Sequence, residues 1–281
     1  MARWMRPCND FVFKRIFGVE ENSDLLLSFL NAVLRPQPGA ELTEITLIDP
    51  HLIPDQVGDK ASILDVKAIT RSGERINIEV QLHNKYDMEK RALYYWAKMY
   101  EEQLGESSLY KHLRKTITIN ILDFQCLPTD AFHSIFRLQE ESRGFLLTND
   151  LEIHFLELSK LRGSDVNMND PLVNWLLFVG AQDERTVDLL ARNEPVIRKA
   201  KTVLEFLNQN DEARKLYEIR VKALRDEANM IEGAKEEGRA EGEAKGKAEI
   251  AKNMLVAGMS IEQISALTGL SPVEIKRLAK Q

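Results

Sequence analysis

The sequence predicts an α/β protein in which a mixed sheet is flanked by helices and followed by a helical C-terminal region. Three observations carry that prediction. Apolar and polar residues alternate along Ser62 to Thr70 and Arg75 to Leu82, the period of strands whose two faces differ. The run Thr116-Ile-Thr-Ile-Asn-Ile-Leu-Asp-Phe is rich in β-branched residues and reads as a central strand. Beyond Lys160 the apolar spacing becomes helical.

Taken in order, Asp10 to Leu34 places Phe13, Ile16, Phe17, Leu25, Leu26, Phe29, Leu30 and Val33 at helical spacing, in two pieces joined near Gly18 to Asn22. Asn9 or Asp10 is the cap of the first piece. Arg35-Pro-Gln-Pro-Gly ends the second, since proline cannot continue the helical hydrogen bonding. Glu44 to Ile48 is a further strand, and Ser72-Gly73 joins the two that follow as a hairpin. Asp87 to Leu104 is an amphipathic helix through Leu93, Tyr94, Trp96, Ala97 and Tyr100. Ser134 to Gln139 and Leu151 to Leu158 are later strands. Helices are expected over Pro171 to Ala181, Glu194 to Asn208 and Asp211 to Met230.

The expected organisation is a core over 1–160, a helical region over 161–231 packed on or extending it, a charged Gly/Ala segment over 232–252 and a small module over 253–281. Gly238, Gly242 and Gly246 recur every fourth residue, which aligns them on one face if the segment is helical and would let two copies approach there. Each glycine costs a helix about 1 kcal/mol relative to alanine, so a frayed linker is the expected form. The last module reads as helix, glycine turn, helix. Ser271 caps the final helix, with Pro272 at its first position and Glu274 completing a capping box. It is either a packing or oligomerisation module or a DNA reader, for which Lys276, Arg277 and Lys280 are the phosphate contacts.

With 44% hydrophobic residues and 29% charged among 281, most of the chain is expected to fold. No apolar stretch reaches the length of a membrane span and the start lacks a secretory h-region, so a cytoplasmic protein is expected. Cys8 and Cys126 stand far apart without a pattern of Cys or His around them, which argues against a disulfide framework and a structural zinc site. A formal charge of −6 argues against a generic polycation that coats nucleic acid, but not against a local basic lining around an acidic site.

That site is sought on the paired strands. Asp65 lies on the first and Glu79 with Gln81 on the second, where period 2 turns Glu79 and Gln81 to one face and Ile78 and Val80 to the other. Acids on strands usually mark a solvated face, yet Leu64, Val66, Ile76, Ile78, Val80 and Leu82 place these strands in a core, where unpaired acids are costly. Two hard carboxylates suit Mg²⁺, which takes few protein ligands and keeps its waters. Gln81 brings no charge but can orient a water or a phosphate oxygen.

The surrounding blocks complete the picture: Asn9-Asp-Phe-Val-Phe-Lys-Arg-Ile-Phe, Ile63-Leu-Asp-Val, Ile78-Glu-Val-Gln, Arg91-Ala-Leu-Tyr-Tyr-Trp-Ala-Lys-Met-Tyr, Leu156-Glu-Leu-Ser-Lys and Pro171-Leu-Val-Asn-Trp. Over most of its length the chain resembles the recombination-promoting nuclease and transposase family of the PD-(D/E)xK nuclease superfamily. The resemblance implies a restriction-endonuclease-like fold and a Mg²⁺-dependent DNA endonuclease, with Mn²⁺ able to substitute, in a setting of recombination or mobile elements. It makes Asp65 the first acid and Glu79 the second, and puts Gln81 where the superfamily has Lys. The Val80 carbonyl is a further metal ligand by resemblance. Loss of the lysine charge opens an alternative, a DNA-binding or oligomeric assembly protein that keeps the fold without turnover.

Around this pattern, Asp10 either assists the metal site or caps its helix. Lys14 and Arg15 either meet phosphate or form a solvated face, and Lys67 shares the strand face of Asp65 and either contacts the scissile phosphate or is paired. Arg91, Tyr95 and Lys98 recur at spacings of four and three, where a DNA backbone can lie. His83 is a proton shuttle or a structural histidine.

Overall fold

The computed structural model describes residues 4–52, 62–63, 65–84, 86–105, 108–162 and 166–279. Leu64 and Lys280, named above, lie outside them. The chain forms two compact units, Met1–Arg220 and Val221–Gln281.

The first unit is built on a six-stranded mixed sheet with helices against it, the restriction-endonuclease-like arrangement. Its strands are β1 (Ile45–Leu47), β4 (Val66–Thr70), β5 (Arg75–Gln81), β6 (Thr116–Leu122), β7 (His133–Phe136) and β8 (Leu151–Glu157), while β2 (His51–Leu52) and β3 (Ser62–Ile63) pair separately. The order is β1-β4-β5-β6-β8-β7. β1, β4 and β5 run antiparallel, β5, β6 and β8 run parallel, and β7 returns antiparallel on the far edge. Gly73 at φ +88 turns the β4–β5 hairpin, a conformation that costs glycine little. β6 is buried at every position, as its run rich in β-branched residues predicts for a strand covered on both faces.

The helices of the first unit are α1 (Asp10–Phe17), α2 (Ser23–Leu34), α3 (Met88–Glu101), α4 (Pro171–Val179), α5 (Glu184–Asn193) and α6 (Pro195–Gln209), and α7 (Asp211–Val256) begins there. α3 crosses one face of the sheet, where Met88 and Ala92 join Leu122, Ile153 and Phe155. On the other side α1 packs by β5, and its end at Gly18 abuts Val66, the row partner of Ile78. Phe13 and Phe17 of α1 lock against Phe29 of α2 and Trp175 of α4, with ring centroids 4.6 to 6.3 Å apart. This aromatic cluster fixes the helix that carries Lys14.

The N-terminal segment is clamped by residues more than two hundred positions away. The Asn208 side-chain Oδ1 accepts from Met5 N–H at 3.2 Å, the Tyr217 hydroxyl donates to the Trp4 carbonyl at 3.4 Å, and Arg220 Nε donates to Asp10 at 2.9 Å. Asn9 is the N-cap of α1, accepting from Phe11 N–H at 3.1 Å, and Asp10 is the first helical residue.

Three elements differ from expectation. The strand expected from Ser62 to Thr70 is broken at Asp65, for a reason the site supplies below. α5 was not anticipated; its apolar stripe is short, Val187, Leu190 and Ala191, and Asp183 caps it through Thr186 N–H at 2.9 Å. The segment 232–252 is helical throughout as part of the 46-residue α7. Charged pairs one turn apart, Glu241–Lys245 at 2.6 Å and Glu243–Lys247 at 2.7 Å, offset part of the cost of its glycines.

In the second unit, α7 ends before α8 (Ile261–Thr268) and α9 (Pro272–Leu278), which close over Ala251, Ile264 and Ile275. Both short helices start with full capping boxes, Ser260 with Gln263 and Ser271 with Glu274, and Gly269 at φ +73 ends α8. No helix among the described residues is long and apolar enough to cross a membrane.

A Cβ added at Gly238, Gly242 or Gly246 meets nothing within 4 Å. Replacing all three by alanine should therefore stabilise this part of α7 by about 1 kcal/mol per site, read as slower amide exchange over 232–252. Unchanged exchange would contradict a continuous helix.

Candidate active site

Asp65 and Glu79 meet where β4 begins and β5 nears its end. Continuing the register from Val66 opposite Ile78 sets Asp65 against Glu79. Each carboxylate takes a backbone N–H from the other strand: Val80 N–H donates to Asp65 Oδ2 at 2.8 Å, and Asp65 N–H to Glu79 Oε1 at 3.3 Å. Side chains here do what ladder carbonyls do elsewhere, so the chain bends at Asp65 instead of continuing as a strand.

Both acids are withdrawn from water, Glu79 at 4% exposure and the Asp65 side chain at 9%. Burial pushes the Asp65 carboxyl above its usual range, against the pull of Lys14 and of the Val80 N–H. Glu79 is pushed up to about 8, first by burial and then by the charge of Asp65, with Arg91 opposing. Lys14 reaches in from α1 and places Nζ 3.1 Å from Asp65 Oδ1.

Gln81 ends β5 half-buried, on the Glu79 side, and its carbonyl accepts from Asp123 N–H at 3.0 Å. Val80 turns its side chain to the opposite, apolar face and gives its N–H to Asp65. Asp10 is engaged by Arg220, and its charge still acts on Asp65. Arg91 lies close enough to act on Glu79, with its guanidinium 5.6 Å from the Tyr95 ring centroid. Lys98 is half-buried farther along α3, and His83 is exposed beyond the end of β5.

Lys67 stands apart from this group. It is 5% exposed and bonded to Glu102 at 2.7 Å, in the row of Asn77 and Thr118 beneath α3. Strand alternation gave its face correctly, but it is the covered face. The sequence also left out the array beside Gln81. Asp123, immediately after β6, accepts from both Arg6, at 2.9 Å, and Arg162. Parallel alignment of the ends of β5 and β6 is the signal that points to Asp123; Arg6 and Arg162 carry none.

The family model for the PD-(D/E)XK nuclease family transposase matches residues 7–234, and that for the Rpn/YhgA-like nuclease family C-terminal HTH domain matches residues 244–280. The chain belongs to the PD-(D/E)XK nuclease family. The first match spans the sheet, both acids and the clamping helices, and the second covers the end of α7 with α8 and α9. No curated protein and no solved structure matches the chain.

PD-(D/E)XK nucleases generally use divalent metals, and the residues present fit one. Two adjacent carboxylates whose hold on protons is raised by burial form a hard oxygen pair that a divalent cation relieves. Among the described residues no cluster of three or more His, Cys, Asp and Glu forms a metal cage. The fit is thus to an ion that keeps several waters.

The Glu79 shift has a consequence for metal-free protein. A carboxyl whose folded pKa is raised stabilises the fold below its unfolded pKa, near 4.5, and loses that contribution as pH rises through about 8. Glu79→Gln, neutral at every pH, escapes the loss. In EDTA the melting temperature of Glu79→Gln should gain on that of the wild type as pH goes from 5 to 9, by an amount equivalent to a few kcal/mol. A difference independent of pH would show that Glu79 ionises normally.

Proposed function

We propose that this chain is a divalent-metal-dependent DNA endonuclease, with Mg²⁺ as the natural ion and Mn²⁺ as a substitute, acting in DNA recombination or mobile-element movement. The observation that carries the proposal is the buried Asp65–Glu79 pair with Lys14 at 3.1 Å from Asp65. A core tolerates two adjacent acids at a cost in stability, and function is the common reason for such a cost.

Asp65, Glu79 and the Val80 carbonyl would hold the cation, which when bound supplies Lewis acidity and a water of lowered pKa. The remaining work belongs to the chain. Gln81, on the Glu79 side of β5, orients the attacking water or a phosphate oxygen through its amide. Lys14 supplies the positive charge that the family pattern has at position 81, and supplies it from α1. An ammonium beside the first acid can hold a scissile phosphate against it and stabilise charge as the bond breaks. Arg91 adds a guanidinium on the α3 side, where the DNA backbone would run.

The HTH match supports DNA as the partner. In the helix-turn-helix geometry α9 is the reading helix, with Val273 77% exposed near its start and the exposed Lys276 and Arg277 along it.

Purified protein should cut supercoiled plasmid in Mg²⁺ or Mn²⁺ and stop in EDTA. Asp65→Ala and Glu79→Ala should abolish cutting while circular dichroism stays native; cleavage surviving both substitutions would sink the assignment. Lys14→Ala should lower the cleavage rate about 100-fold with DNA binding largely kept. Adding Gln81→Lys to Lys14→Ala should recover part of that loss, because the charge returns from the neighbouring position. A Lys14→Ala protein that cuts at the wild-type rate would refute the role given to Lys14.

A further inference from the structure

At the carboxyl ends of β6 and β8 the first unit opens into a recess of about 590 Å³, the end of an open sheet where ligands bind. One wall is the segment after β6, with Gln125, Leu127, Thr129 and Asp130, and the other is the turn after β8, with Ser159 and Arg162. The two walls are fastened to each other. Glu157 accepts from Cys126 N–H at 2.6 Å and from Leu127 N–H at 3.3 Å, and Lys160 Nζ donates to the Leu127 carbonyl at 3.1 Å. Arg162 joins the recess to the acid site, since it donates to Asp123, whose N–H is bonded to the Gln81 carbonyl. Gln81 is aligned with Leu122 and Leu122 with Glu157, so the recess lies one to two strand spacings, about 5 to 10 Å, from Gln81. One DNA strand covers that span in roughly one to three nucleotides, at about 3.4 Å each.

We propose that this recess takes one unpaired nucleotide of the DNA strand that is cut, so that the substrate is DNA with a base out of the stack close to the scissile bond. The inference rests on the endonuclease reading and names its substrate class. A recess of this size holds a nucleotide and excludes a duplex. A base edge carries donors and acceptors together, and Gln125, Thr129 and Ser159 each offer both, while the exposed Asp130 accepts from an exocyclic amine. Leu127 gives the face of the base an apolar wall, and Arg162 gives its phosphate a guanidinium that Asp123 holds in place. The Ser159 hydroxyl points most directly to a ligand. Its Oγ is withdrawn from water and bonded to nothing among the described residues, a cost that a hydrogen bond from a bound base removes.

The charges around the recess favour a whole nucleotide over a bare phosphate. Lys160 is paired with Glu157 and Arg162 with Asp123, which leaves Asp130 to oppose a second anion. Drawing a base out of an intact duplex costs stacking and pairing, and that cost is least where the base is mismatched or already single-stranded. The recess therefore selects DNA in which the cost has been met beforehand.

Fluorescence anisotropy of labelled DNA in EDTA tests this on the full-length chain without cleavage. A duplex carrying a short bubble of mismatches should bind about tenfold tighter than the same duplex fully paired. Gln125→Ala with Ser159→Ala should remove most of that preference and leave affinity for the paired duplex unchanged, because contacts outside the recess are the same on both. Should the double variant fail to fold, Gln125→Ala alone, at an exposed position, should reduce the preference about threefold. Equal binding of the two DNAs by the wild type, or a preference that survives in the folded variants, overturns the proposal. Calorimetric binding of thymidine monophosphate without any preference for the bubble assigns the recess to a free nucleotide and overturns it as well. The endonuclease reading fails separately: a protein that prefers the bubble but never cuts plasmid in Mg²⁺ keeps the nucleotide subsite and loses the activity.

Discussion

Two carboxylates held side by side out of water are the constraint around which the first unit is arranged. Asp65 and Glu79 would each prefer solvent, and the charge of Asp65 makes Glu79 harder still to ionise. The fold offsets this with directed partners: a strand N–H for each acid, an ammonium from α1 and a guanidinium from α3. The same contacts start β4 at Val66 and fix where β5 stops pairing with it, at Ile78. Site geometry and sheet geometry are therefore one set of bonds.

The charges that serve the acids come from helices anchored on opposite faces of the sheet. α1 is held by the aromatic cluster of Phe13, Phe17, Phe29 and Trp175, and α3 by Met88, Ala92 and the Trp96 indole, which donates to the Thr116 carbonyl at 2.9 Å. Packing energy spent far from the acids thus becomes positional precision at Lys14 and Arg91. The strand face between them is polar yet covered, through Lys67, Asn77, Thr118 and Asn120. That is an expensive way to build a core, and consistent with a surface shaped for chemistry.

How much of this was legible in the sequence depends on how local each signal is. Glu79 and Gln81 fall on a common face by simple alternation, and the capping box at Ser271 is readable in four residues. Asp65 was recognisable as an acid of the site, but not as the residue that breaks its strand, because the bonds that break it come from fifteen residues away. Lys14 sits fifty-one positions before Asp65, so no spacing rule ties them. The burial of Lys67 depends on Glu102 reaching it from the end of α3. In α7 local propensity pointed to fraying, whereas the segment is helical throughout, with two pairs of opposite charge one turn apart along it.

The clamp on the N-terminal segment gives the chain an order of events during synthesis. Lys14 is translated well before the groups that pin its segment, Asn208, Tyr217 and Arg220, which come nearly last in the unit. A growing chain can lay down both acids and most of the sheet while α1 still lacks these anchors. On the proposed function, a nascent polypeptide shorter than the clamp would hold an incomplete site, and nucleic acid near the ribosome would be spared until the unit is complete.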